Sequence, residues 1–193
     1  MLELKQSDDS HQTFLFSDVW HKRKALVESL LFVSREPVSL DSITKVVGIK
    51  DYEVKEVLDA LISEYNLRNS GILILEIAGG YQMVTNPEYS GYIKKLKNIN
   101  ISSRLSQAAL ETLAIVAYKQ PLTKLEIDNI RGVNSEGSVK SLLDKKLIRI
   151  VGKKETPGRP FLYGTTKAFL NHFGLKDLAS LPPIESYIIE GAT

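Results

Sequence analysis

The chain has 193 residues, 43% hydrophobic and 25% charged, with a formal net charge of +2. That balance describes a globular protein of one domain or two small ones, without the global positive field that draws a protein onto nucleic acid. There is no cysteine, which excludes disulfides and thiolate metal sites and fits a reducing compartment.

The opening stretch MLELKQSDDSHQTF lacks the basic start and apolar core of a secretion signal. No apolar run approaches the about 20 residues of a membrane span, so a cytoplasmic protein without membrane contact is expected. Residues 1–20 show no clear periodicity and read as a flexible arm. From there KRKALVESLLFVS forms a helix, with Leu26, Leu30 and Val33 on one stripe and Val27 and Leu31 widening it. Phe32 falls outside that arc. Pro37 breaks the chain, Ser39 caps a second helix with Ile43, Val46 and Val47 inward, and Gly48 ends it. A third helix follows, with Asp51 as its N-cap and Val54, Val57, Leu58, Leu61 and Ile62 buried. GILILEIAGGYQMVT then reads as a hairpin turning at Ala78-Gly79-Gly80. The stretch NPEYSGYIKKLKNINISSR reads as a short helix ending near Leu96 and a polar hinge.

The same order recurs. SQAALETLAIVAYKQ is a helix, Thr123 with Glu126 makes a capping box for a second, and a third carries Val139, Leu142 and Leu143 inward. IRIVG and FLYGTT form a longer hairpin whose tip carries Pro157-Gly158, a pair suited to a type II turn. Pro37, Ser39, Ile43, Val46, Gly48 and Ile49 recur at a constant offset of 84 as Pro121, Thr123, Ile127, Ile130, Gly132 and Val133. Two copies of one fold are expected, mainly α with small β-hairpin wings: two tandem winged-helix domains, at 21–98 and 99–178, with a C-terminal tail at 179–193.

Residues for catalysis do not gather. His11, His21 and His172 are scattered, Glu126 and Asp128 point to different helix faces, and Ser135 lies outside any nucleophile elbow. No phosphate-cradling loop occurs, and no metal or cofactor is expected. Binding remains, and charge separates its forms. The third helix of the first copy carries Asp51, Glu53, Glu56, Asp59 and Glu64 against Lys50 and Lys55, a face that repels a duplex. The second copy has thirteen basic residues against seven acids over 99–178. Its wing residues Lys153, Lys154 and Arg159 are candidates for weak, unspecific DNA contact, or for a solvated loop tip. On the first helix, Val27, Leu31 and Phe32 are candidates for a self-association face, the alternative for Phe32 being cover by its own wing. On the first helix of the second copy, Leu110, Leu113 and Tyr118 belong to a surface apolar nearly all round. Either a partner's helix or the tail ASLPPIESYII covers it.

LVESLLFVSREPVSL, GGYQMVTNPE, LSQAALETLAIVAYKQPLTKLEIDNIRGVNS and PGRPFLYGTTKAFLNHFGLKDLASLPP resemble segregation and condensation protein B of bacteria. The likeness runs from about Lys24 to Pro183 and is densest in the second copy. It implies a non-catalytic accessory subunit of the SMC–kleisin complex, supporting chromosome condensation and segregation at the nucleoid. The resemblance further implies a homodimer formed through the N-terminal domain. It also implies binding to the middle of the kleisin, with contact to the SMC ATPase through that kleisin. Its motif carries over Arg131, Gly132, Arg159, Pro160 and Tyr163, with Arg131, Arg159 and Tyr163 as candidate kleisin contacts. The structural roles open to the same residues are a helix stop for Gly132, an internal carboxylate clamp for Arg159 and packing for Tyr163. The alternative from another class is a winged-helix DNA-binding transcriptional regulator.

Overall fold

The structure, a computed structural model, describes residues 6–96 and 105–183, with side chains from Asp18 onward. The expected hinge after Leu96, the end of the tail and the side chain of His11 lie outside what is described. The chain divides into two compact units, Met1–Lys97 and Asn98–Thr193.

The first unit runs α1 (Gln6–Val33), α2 (Leu40–Val47), α3 (Asp51–Leu67), β1 (Ile72–Ile77) and β2 (Gly80–Thr85). A 3-10 turn (Pro87–Tyr89) and α4 (Ser90–Leu96) follow. The second runs α5 (Gln107–Lys119), β3 (Leu122–Thr123), α6 (Lys124–Arg131), α7 (Glu136–Asp144), β4 (Ile148–Lys153), β5 (Phe161–Thr165) and α8 (Lys167–Phe173), then a 3-10 turn at Leu178–Ser180. Each unit is a winged helix. The helix α1 begins at Gln6, so much of the stretch expected to be a loose arm is helical. Neither Pro nor Gly interrupts it between Gln6 and Val33, and a helix already nucleated on a packed segment extends at little cost even without an apolar stripe.

The repeat is carried by backbone stereochemistry. Ser39 caps α2 through Ser42 N–H and Thr123 caps α6 through Glu126 N–H. Gly48 and Gly132 end those helices in the left-handed region, at φ 74° and 72°, where glycine avoids the Cβ clash other residues meet. Both third helices close with a Schellman turn. In α3, Ser70 N–H reaches Tyr65 O and Asn69 N–H reaches Asn66 O, with Asn69 at φ 47°. In α7, Leu147 N–H reaches Leu142 O and Lys146 N–H reaches Leu143 O, with Lys146 at φ 56°. The α3 cap lies one residue earlier than expected: Lys50 is the N-cap, and the Glu53 carboxylate accepts its N–H at 3.1 Å.

The wings differ in length. β1 and β2 pair antiparallel from Ile72↔Thr85 to Ile77↔Gly80, leaving Ala78 and Gly79 as a two-residue turn with φ 52° and 75°. Two positive φ values in sequence define the type I′ turn, which follows the twist of the strands. Val38 adds a bridge to Tyr81, its N–H and carbonyl both bonded at 2.9 and 2.8 Å. In the second unit the same position has grown into β3, in a sheet of order β3-β5-β4. The tip of that wing turns at Thr156-Pro157-Gly158-Arg159, with Gly158 at φ 84° and Arg159 N–H donating to Thr156 O at 2.9 Å, the type II geometry expected.

One core lies in each unit. Val27, Leu31, Ile43, Val54, Leu58 and Leu61 pack with Ile74 and Tyr81 in the first; Leu113, Val116, Ile127, Val139, Leu142 and Phe169 do so in the second. Each such side chain contributes roughly 1.5–3 kcal/mol of burial free energy. One expected core position is in fact at the surface: Val46 is 66% exposed, and its counterpart Ile130 is likewise 47% exposed. Within eight-residue helices α2 and α6, Ile43 and Ile127 are the buried residues, and positions three further on rotate away from the core.

Candidate partner-binding site

On α1 the burial phase differs from the expected stripe by one residue. Val27 and Leu31 are fully buried, while Leu26 is 43% and Val33 74% exposed. Polar anchors to α3 fix that phase: Arg23 to Glu53 at 2.7 Å, Lys24 to Glu64, and the Tyr65 hydroxyl donating to Glu28. All three anchors lie on the side of α1 that carries Val27 and Leu31. Those two side chains therefore serve the core and are withdrawn from the expected dimer surface. Phe32, 76% exposed, is not swallowed by its wing, and with Val33 it forms an apolar pair at the end of α1.

On α5 the apolar circumference resolves into two faces and a cover. Ala109, Leu113, Val116 and Ala117 face the core, with Thr112 among them satisfied by Ala108 O at 2.8 Å. Leu113 is 2% exposed, so its place as a partner contact is corrected to core packing. Leu110 is 41% exposed. Tyr118 is half-buried, and its hydroxyl donates to Pro182 O at 2.7 Å. Leu178, Ala179, Leu181, Pro182 and Pro183 line a cleft with Ala117, Tyr118 and Gln120. Of the two covers considered for this helix, the beginning of the tail supplies one over its C-terminal end.

The residues around α6 form a set of satisfied charges. Glu126 accepts from Thr123 N–H and hydroxyl, both at 2.8 Å, and from Lys154 on the wing at 2.6 Å. The Lys154 ammonium, with the Thr123 donors, holds the Glu126 carboxyl down at about 2. Asp128 accepts from Lys124 at 2.8 Å and from the Ser135 N–H at 2.8 Å and hydroxyl, and these hold it at about 2 as well. Ser135 is fully buried. These two carboxylates are cap and staple, each saturated with donors.

Lys154 is thus held by an acid and is a poor candidate for phosphate contact. Lys153 lies 5.2 Å over the Phe161 ring, and Arg159 is exposed at the wing tip at φ 40°. Arg159 clamps no carboxylate among the described residues; that role falls to Arg131. The Arg131 side chain is only 8% exposed, with Nη2 donating to Glu111 at 3.1 Å and Nε buried without a hydrogen-bond partner. Tyr163 is half-buried against the second core, between Ile150 and Leu122 in the sheet. Three surface residues escaped the sequence reading: Leu125, Ile130 and Val133 are 68%, 47% and 57% exposed. The available signal was an eight-residue helix with more apolar side chains than its single buried position uses.

Among the described residues no group of three His, Cys, Asp or Glu is placed to hold a metal ion, and no helix is long and apolar enough to cross a membrane.

Residues 25–184 match the family model described as segregation and condensation complex subunit ScpB. Segregation and condensation protein B of Clostridium tetani is 46% identical over 166 residues, covering 86% of this chain and 88% of its own. The crystal structure of ScpB from Mycobacterium tuberculosis shares 33% identity over 81% of this chain and 97% of that one, with a TM-score of 0.40. A crystal structure of a dimer of the ScpB N-terminal domain complexed with ScpA peptide shares 33% identity over 40% of this chain and 98% of that one, with a TM-score of 0.39. With the family model spanning both winged helices, the chain belongs to the ScpB family of segregation and condensation complex subunits.

Proposed function

We propose that this protein is a non-catalytic accessory subunit of a bacterial SMC–kleisin complex, acting in the cytoplasm at the nucleoid. In this reading it is a homodimer joined through its first unit, and it holds the central segment of the kleisin, which in turn links it to the SMC ATPase. The observation that carries the reading is the family match across both units, at 46% identity to a segregation and condensation protein B. The physics of the surface supports it. Among the described residues Glu126 and Asp128, the carboxylates held down at about 2, act as cap and staple. Large apolar side chains stand exposed instead: Phe32 and Val33 on α1, and Leu110, Leu125, Ile130 and Val133 on the second unit.

The first pair is assigned to the dimer, the second set to the kleisin, with Tyr118, Arg159 and Tyr163 as further contacts; Arg131, only 8% exposed and held by Glu111, stays within its own unit. An amphipathic helix with acidic flanks suits this surface. Exposed ion pairs contribute only about 0–1 kcal/mol each, so the apolar anchors carry the affinity. A DNA-reading regulator fits less well, because α3 is acidic and Lys154 is neutralised by Glu126. The test is capture of a purified kleisin middle segment by the whole chain and by each half. Retention of all binding by residues 1–97, with none by a folded 98–193, refutes the assignment to the second unit. Failure of the whole chain to bind refutes the function.

A further inference from the structure

Two groups stand out among the cations of the second unit, apart from Lys119, Lys153, Arg159 and Lys176 elsewhere on its surface. Lys124, Arg131 and Lys154 each have a carboxylate partner, at 2.8, 3.1 and 2.6 Å. Lys140, Lys145, Lys146, Arg149 and Lys167 are all exposed, and none has a carboxylate partner among the described residues. Backbone bonds bring three of these together, Lys145, Lys146 and Lys167. Lys145 and Lys146 form the Schellman turn of α7, and the Thr166 hydroxyl donates to Lys146 O at 2.6 Å while Thr166 N–H reaches Leu147 O at 3.2 Å. That places Lys167, the next residue, beside Lys146. Arg149 follows on β4, opposite Gly164, and Lys140 lies earlier on α7. Asp144 is the acid within that stretch of α7 and β4.

A second observation sets Lys146 apart from the other helix-closing residues. It occupies the left-handed position of the turn at φ 56°, where a side chain is strained. Glycine takes the corresponding position after α2, α6 and α8, and asparagine after α3. A lysine is therefore kept where glycine is the more comfortable residue, which points to use of its charge.

We propose that this ridge binds the phosphate backbone of double-stranded nucleic acid without reading its sequence. A duplex suits it better than an acidic peptide. Between Lys140 and Arg149 the residues Leu142, Leu147 and Ile148 are buried and Leu143 is half-buried, and exposed apolar side chains begin only beyond Arg149, at Ile150 and Val151, so a peptide finds no apolar anchor among the cations, and exposed ion pairs alone bind weakly. Phosphates of a duplex need no such anchor, since release of condensed counterions supplies the free energy. The ridge lies at the end of α7 where β4 begins, whereas the wing tip, with Lys153 and Arg159, closes the far end of β4. This inference does not rest on the kleisin assignment.

The experiment is fluorescence anisotropy of the full chain with two labelled 30-base-pair duplexes of unrelated sequence, across a range of salt. Equal affinity for both is expected, with log affinity falling against log salt at a slope of about −3 to −4.5 for three to five phosphate contacts. K145E/R149E, or K145Q/R149Q should the reversal disturb folding, weakens binding at least about tenfold and flattens the slope by about 2. Lys146→Gly weakens binding a few-fold while melting no lower than the parent, opposite directions that a purely structural lysine does not give. K153E/R159E leaves affinity within about twofold. Absence of binding at low salt, or unchanged affinity in folded K145Q/R149Q, overturns the proposal. So does displacement of the duplex by a polyglutamate peptide at comparable concentration, which assigns the ridge to an acidic protein.

Discussion

Replacing Gly80 by alanine tests how the first wing is seated. Gly80 opens β2 at ordinary φ, yet a Cβ there lies 2.9 Å from both the carbonyl carbon and oxygen of Val38 and 3.0 Å from that of Pro37. All three are backbone atoms, fixed by the Val38–Tyr81 bridge, and cannot rotate aside. Relief requires the bridge to open, losing two backbone bonds at about 1 kcal/mol each, or the wing to shift against the core at about 1–3 kcal/mol. The expected cost is about 2–3 kcal/mol, a large part of the stability of a unit this small. Urea unfolding followed by Trp20 fluorescence reads this unit, because Trp20 is the only tryptophan and packs against the first core. With an m-value of about 1 kcal/mol/M the midpoint falls by about 2 M or more. Gly164→Ala is the control. Its Cβ also meets atoms at 2.9 Å, but these are the side-chain atoms Gln120 Oε1 and Val151 Cγ1, which can give by a few tenths of an ångström where backbone cannot. Followed by circular dichroism, it costs about 1 kcal/mol, chiefly the bond from Thr165 N–H to Gln120. A midpoint for Gly80→Ala within about 0.3 M of the parent, or equal costs for the two substitutions, refutes the steric reasoning.

Acid should act on the second unit through Glu126 and Asp128. Both are held at about 2, below their ordinary 4.5 and 3.8, so their stabilisation is complete above about 4.5 and is lost as pH falls toward 2. Melting temperature between pH 5 and 2 checks this, and Glu126→Gln should flatten that limb. Phe32→Asp should turn the proposed dimer into a monomer by light scattering with little change in melting, since the side chain is 76% exposed; a dimer that persists removes Phe32 from the interface. The paired core positions Ile43 and Ile127, both fully buried, should each cost about 2–5 kcal/mol as alanine, and Leu125, 68% exposed, under about 0.5 kcal/mol.

Local stereochemistry was the readable part of this sequence. Ser39 and Thr123 as caps, Gly48 and Gly132 as stops, Ala78-Gly79 and Pro157-Gly158 as turns each depend on a residue and its immediate neighbours. The tandem winged-helix architecture followed from their repetition. Helix phase was harder. With Leu26, Val27, Leu30, Leu31, Phe32 and Val33 in one run, α1 is apolar around more than half its circumference, and its periodicity cannot say which side faces in. The deciding contacts, Arg23–Glu53 and Glu28–Tyr65, span 30 and 37 residues. The same holds for the candidate site. That Lys154 is neutralised by Glu126 and Arg131 clamped to Glu111 depends on pairs 28 and 20 residues apart, so exposed and occupied cations look alike in the sequence. Leu113 and Leu110 likewise differ in role only through the packing of α5.

The two units, alike in how their third helices close, differ in the sign of their net charge, which splits the molecule's behaviour in an electric field. Up to Lys97 the chain carries twelve basic and fourteen acidic residues, and from Asn98 onward thirteen and nine. The modest +2 of the whole is thus the remainder of a half at −2 and a half at +4. On an ion-exchange column near neutral pH the halves, once separated, would leave for opposite resins, while the intact protein is held weakly by either.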